Sequence, residues 1–258
     1  MPSDAAVLEL DTFPTDLGRS VTLGPDAPDG GSPQFYLNPD QRAGVADNGK
    51  PSLTIDQAAN RLVGGEPGWS PALGIGATVT YAFRADAPAI MPDDATGFQR
   101  FSATQIRAAE QALKGWSDVA NIRFVRVGVG DTGEAAYSNN ASILFSDYTG
   151  GVAGASAFSF FPGNLSVGSQ SGDVWVNSTL GYNVTPSLSN YGGQVLIHEI
   201  GHSIGLDHPS DYDATADDNL TYGANASYYE DDRQYTVMSY FNEFNTGANF
   251  GSQYSASP

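Results

Sequence analysis

A chain of 258 residues, 40% of them apolar, can bury a sizeable core as one large domain or two small ones. Its 29 acidic and 11 basic residues give a formal charge of −18, which argues against nucleic acid and anionic membrane as partners, since both need clustered Lys and Arg. The absence of cysteine excludes disulfides, thiolate metal sites and thiol catalysis.

In chain order, residues 1 to about 50 are rich in Pro, Gly and Asp and hold no helical or strand period. They read as an irregular N-terminal arm or pro-segment, with a disordered tail as the plainer alternative. The start, MPSDAAVLELDTFPTD, lacks the basic opening and apolar centre of a secretory signal peptide. Order begins near Thr54. Thr54 and Gln57 form a capping box for a short helix with Ile55, Ala58, Ala59 and Leu62 on one face. Residues 77 to 83, ATVTYAF, alternate as a strand. Ser102 and Gln105 form a second capping box ahead of the clearest helix, whose apolar stripe is Ile106, Ala109, Leu113 and Trp116. NIRFVRV, ASILFSD, GASAFSFFPG and GDVWVN follow as strands, and a second long helix comes later. This order predicts a mixed α/β sheet with helices packed on it. Beyond Pro209 regular structure thins out, and DYDATADDNLTYGANASYYEDDRQ reads as a solvated acidic loop without the fixed spacing of a calcium loop.

All three histidines of the chain fall in VLIHEIGHSIGLDHPSDY, which fits H-E-x-x-H-x-x-G-x-x-H. His198 and His202 lie one turn apart on the same helix face, so both can reach one ion. Gly205 would end the helix in a left-handed turn that glycine adopts cheaply, and the turn brings back His208 as a third ligand. Pro209 prevents the helix from resuming. Three imidazole nitrogens leave Zn2+ with an open coordination position, the mark of a catalytic site. Glu199 is placed to accept a proton from water and pass it to a leaving amine.

With this motif and the later YTVMSYF, the sequence resembles the metzincin zinc endopeptidases, and within them the serralysin family of secreted bacterial proteases. The likeness also runs through KPSLTIDQAANRL, FSATQIRAAEQALKGWSDVANIRFVRV, AFSFFPG and YYEDDRQYTVMSYFNEFNTG, over roughly residues 50 to 258. It implies an α+β catalytic domain over residues 51–258: a twisted five-stranded mixed sheet with an antiparallel edge strand, two long helices and an irregular C-terminal subdomain. It implies His198, His202 and His208 as zinc ligands and Glu199 as general base. Met238 would be an apolar floor beneath the metal. Tyr240 would approach zinc at rest and swing away to stabilise the oxyanion. GASAFSFF would be the edge strand along the cleft, with Gly154, Ala155 and Ala157 offering backbone groups to an extended peptide.

The implied activity is zinc-dependent hydrolysis of protein or peptide substrates by a secreted, extracellular bacterial enzyme exported without an N-terminal signal peptide. A monomer is expected, and a proteinaceous inhibitor stands among the partners the resemblance suggests. The chain departs from the family in carrying Asp207 beside His208, in its longer N-terminal arm, and in ending at SQYSASP. A closing helix and a calcium-binding roll are expected beyond that point in family members, so Ca2+ belongs to the expectation for a full-length protein only. Two alternatives stand beside the enzyme: a non-catalytic zinc-containing binding module of the same fold, and a zymogen whose arm masks the zinc with a carboxylate such as Asp4, Asp11 or Asp16.

Overall fold

A computed structural model describes residues 43–249 except 64, 66, 93–94, 153–154, 164–168 and 213–219. Asp4, Asp11, Asp16 and almost all of the expected arm lie outside these residues, as does Gly154. Two short strands, β1 (Gly44–Val45) and β2 (Pro51–Ser52), pair antiparallel. Helix α1 (Ile55–Leu62) follows, then strand β3 (Ala77–Phe83), helix α2 (Ala103–Val119) and strand β4 (Ile122–Arg126). Strands β5 (Ile143–Tyr148), β6 (Ala157–Ser159) and β7 (Val174–Asn177) complete the main sheet. The short helix α3 (Gly181–Val184), the long α4 (Tyr191–Ser203) and one-turn α5 (Tyr222–Asn225) come last.

The five-stranded sheet runs β4-β3-β5-β7-β6. Its first four strands are parallel, and β6 closes one edge antiparallel to β7. The expected mixed sheet with an antiparallel edge is therefore the observed one. The parallel strands need crossovers, and α2 supplies the one between β3 and β4. Both α2 and α4 cover one sheet face. Ile106, Ala109 and Leu113 from α2 and Val195, Leu196 and Ile200 from α4 pack onto Val79, Phe83, Phe145 and Val176. On the opposite face Tyr148, Phe158, Phe160 and Trp175 form a smaller aromatic cluster, with the Phe158 and Trp175 rings stacked at 6.2 Å. Just ahead of β7 the buried Asp173 accepts from the Leu144 N–H of β5 at 2.8 Å and is paired with the Arg84 guanidinium.

Both capping boxes form, at Thr54/Gln57 and Ser102/Gln105. The apolar face expected on α1, however, is not part of the core: no residue of this helix is buried, and Ile55 is 52% exposed. The helix is held by its ends. Its Leu62 carbonyl accepts the Asp207 N–H at 2.6 Å, beside the metal-motif loop.

A second correction concerns the acidic stretch after Pro209. Glu230, Asp231 and Asp232 are 2%, 0% and 0% exposed, so this part is no solvated loop. Buried carboxylates need donors, and each has them. Glu230 accepts from Ser52 Oγ at 2.6 Å and from the Leu53 N–H at 3.0 Å. Asp231 accepts from the hydroxyls of Ser210, Tyr212 and Ser239 at 2.6, 3.1 and 2.8 Å. Asp232 accepts from the Gln234 N–H and the Thr246 hydroxyl at 2.8 and 2.5 Å. The Glu230 contacts, with the Tyr229 N–H donating to the Pro51 carbonyl at 2.8 Å and Lys50 Nζ to the Ala226 carbonyl at 2.6 Å, fasten the β1–β2 hairpin to the C-terminal subdomain.

Candidate metal centre

Asn190 caps α4: its side chain accepts the Gly193 N–H at 3.1 Å, satisfying one of the donors left over at a helix start. The first turns are buried through Val195 and Leu196, which fixes the helix roll and turns His198, Glu199 and His202 toward the sheet edge. The helix ends at Ser203, and Gly205 adopts φ +103°, the left-handed turn expected there. A Cβ at this position would also lie 2.9 Å from the Pro67 carbonyl oxygen. The Gly205 N–H donates to the His202 carbonyl at 2.9 Å and the Leu206 N–H to the Gly201 carbonyl at 3.0 Å, closing the last turn. Asp207 turns its carboxylate onto the backbone, where Oδ1 accepts the His208 N–H at 2.7 Å.

The three imidazoles converge through one nitrogen each. The Nε2 atoms of His198 and His202 are 3.0 Å apart, those of His202 and His208 3.2 Å, and those of His198 and His208 3.3 Å. Nitrogens bound to one tetrahedral zinc at about 2.0–2.1 Å would be about 3.3–3.4 Å apart, so the triangle is close to the size zinc needs. The opposite nitrogens set the tautomer. His198 Nδ1–H donates to the Val237 carbonyl at 2.8 Å and His202 Nδ1–H to the Leu206 carbonyl at 2.6 Å. Each Nε2 of this pair then turns a lone pair, not a proton, to the centre. All three rings are buried, and no other group of three His, Asp or Glu side chains among the described residues is arranged to hold a metal. Facing lone pairs at these separations repel one another unless a cation lies between them, and neutral imidazoles suit Zn2+.

Met238 lies beneath the site, fully buried, against Gly201 of α4. Tyr240 is 2% exposed, with its ring centroid 4.4 Å from that of His208 and 5.8 Å from that of His198. The structure thus gathers His198, His202, His208, Glu199, Gly205, Met238 and Tyr240 in one place. Two neighbours were not singled out from sequence. Tyr212 stacks on His208 at 5.2 Å and 25°, with its hydroxyl bonded to Asp231. Ser159 on β6 donates its hydroxyl to Glu199 Oε2 at 2.9 Å. The Tyr in HPSDY lay inside the quoted motif and could have been found there. The Ser159 contact spans 40 residues and leaves no local signal.

Among the described residues, β6 has a strand on one side only. Ser156 and Phe160 bond toward β7: the Asn177 N–H donates to the Ser156 carbonyl and the Phe160 N–H to the Asp173 carbonyl. Strand alternation then points the backbone groups of Ala157 and Ser159 to the open edge. Ala155, expected to share that role, has its carbonyl taken by the Tyr148 hydroxyl and the Asn177 amide, both at 3.0 Å.

A mixed sheet with an antiparallel edge, a long-motif histidine helix packed beside it and a methionine turn beneath define a metzincin-type metallopeptidase domain. Residues 78–240 match the Matrixin model of peptidase family M10, and the chain belongs to that family. It is 41% identical over 223 residues to Metalloprotease AprA of Pseudomonas entomophila strain L48, covering 84% of this chain and 44% of the relative. It is 38% identical over 217 residues to Serralysin G of Dickeya chrysanthemi, covering 81% and 43%. The resemblance to the serralysins is thereby borne out, and zinc is the cofactor of the family. The chain spans less than half the length of these curated relatives. No described helix is long and apolar enough to cross a membrane.

Proposed function

We propose that this chain is the catalytic part of a secreted zinc endopeptidase acting as a monomer on protein or peptide substrates. The observation that carries this reading is the triangle of three Nε2 atoms at 3.0–3.3 Å beside a buried glutamate. His198, His202 and His208 would hold the ion. When bound, zinc supplies Lewis acidity that polarises a carbonyl and lowers the pKa of water. Glu199 follows His198 on α4, and its carboxylate is bonded to Ser159 of β6. It accepts a proton from the attacking water and returns it to the leaving amine. An extended peptide pairs with the outward backbone groups of Ala157 and Ser159, which brings its scissile carbonyl past the site. The Tyr240 hydroxyl donates to the oxyanion as charge develops there. Met238 closes the floor, and Gly205 sets the bend that returns His208.

Replacing Glu199 with Ala in the 258-residue chain tests the assignment. Peptide cleavage should fall by about 10²–10⁴ in kcat, the range that general acid–base groups supply, while zinc content stays the same. Turnover at the wild-type rate would end this reading. Every ligand and the carboxylate are intact, so nothing in the site favours the non-catalytic alternative.

A further inference from the structure

We infer that Ser159 is a positioning residue for Glu199, fixing the direction of its carboxylate from the strand that would bind the peptide. The inference rests on the reading of Glu199 as general base. Strand alternation turns Ala157 and Ser159 to the same side of the sheet, and Ala157 packs in the main core beneath α4. Ser159 therefore projects into the space between sheet and helix. It is 1% exposed, as is Glu199, and its Oγ–H donates to Glu199 Oε2 at 2.9 Å.

A carboxylate on a two-carbon stem has three torsions, and the helix backbone fixes none beyond the first. A hydroxyl bound to one oxygen fixes the plane of the group and hence the direction of the other oxygen. Hydrogen bonds to a charged acceptor are among the stronger ones. A proton-transfer group works only within a narrow geometric range, so the bond acts on the chemical step more than on binding.

The placement has a second aspect. The backbone N–H and C=O of Ser159 face the open edge of β6, while its side chain holds the base. A peptide pairing with this strand takes its register from the same residue that sets the carboxylate. Distance errors between the scissile carbonyl and the base then do not accumulate over several elements.

Ser159→Ala removes one oxygen from a buried site and leaves the strand backbone unchanged. In the 258-residue chain it should lower kcat about ten-fold with KM nearly constant, the size expected for losing one hydrogen bond to a charged group. Ser159→Thr, which keeps the hydroxyl, should recover most of the loss. Zinc affinity measured by chelator competition should match the unaltered chain, and Ser159→Ala should remain folded and zinc-loaded at the assay temperature, although the lost buried hydrogen bond lowers its thermal midpoint. The inference is overturned if Ser159→Ala keeps wild-type kcat, or if its loss of rate only tracks a loss of zinc or of folded protein. A fully active Glu199→Ala would instead overturn the underlying reading, so the two failures are told apart.

Discussion

The Cα of Gly201, between Ile200 and His202, lies directly against the thioether of Met238. A Cβ built on Gly201 would overlap Met238 Sδ and stand 3.3 Å from the Trp116 ring. Helix and methionine turn meet without an intervening side chain, and the same turn presents the Val237 carbonyl to His198. Gly201→Ala should therefore destabilise the fold by about 1–3 kcal/mol, as overpacked cores do, although alanine is the better helix former. It should also weaken zinc binding, because the turn moves away from His198. Urea unfolding with chelator titration checks both, and an unchanged midpoint would show that the contact relaxes freely.

Asp231 ties the two loops that follow α4 into one unit. Its carboxylate takes hydroxyls from Ser210 and Tyr212, just past His208, and from Ser239, between Met238 and Tyr240. Asp231→Ala leaves three buried hydroxyls without their acceptor, and about 2–4 kcal/mol of stability should be lost. Zinc affinity should fall as well, since Tyr212 stacks on the His208 ring. Retained affinity alongside a lowered unfolding midpoint would confine Asp231 to a role in the fold.

Asp147 sits in the core on β5, where both carboxylate oxygens lie 2.9 Å from Gln105 Nε2. Burial raises its pKa from 3.8 to about 8, against a smaller lowering by the Gln105 hydrogen bond. A carboxyl whose pKa is higher folded than unfolded binds its proton more tightly in the folded state. Its favourable contribution is complete below about pH 4 and is lost as pH rises through 8. Burial likewise raises Asp173 and Asp232 to about 7, so they add to the same slope. Asp147→Asn should flatten the fall of the thermal midpoint between pH 5 and pH 9 without abolishing it, at about constant zinc occupancy. An identical slope in the variant would mean that Asp147 is charged throughout.

Removing the metal should cost stability as well as activity. Without a cation the three Nε2 atoms must separate or take up protons, and the bend at Gly205 loses its anchor at His208. A strong chelator should lower the thermal midpoint and zinc should restore it, by an amount that grows with free metal. A midpoint indifferent to chelator would contradict a shared ion at this site.

The helix starts and the histidine cluster were legible because each is written in a few adjacent residues. Ser102 with Gln105 announces α2, and His198, His202, Gly205 and His208 announce a turn, a bend and a return. The buried acids were not. EDD inside an acidic loop looks solvated, and the donors that bury it come from Ser52, Ser210, Ser239 and Thr246, up to 178 residues away. Pairing register is hidden for the same reason. Nothing local tells that the Ala155 carbonyl is engaged while Ser159 faces Glu199.

The partners of His198 and His202 on the side away from the triangle of Nε2 atoms are main-chain carbonyls, of Val237 and Leu206. No side-chain replacement can delete a peptide oxygen. The aim of these two rings is thus insulated from drift in the surrounding sequence. Substitutions there can retune local shape or charge while the two imidazoles keep their orientation, provided the backbone path through Gly205 and the methionine turn is preserved.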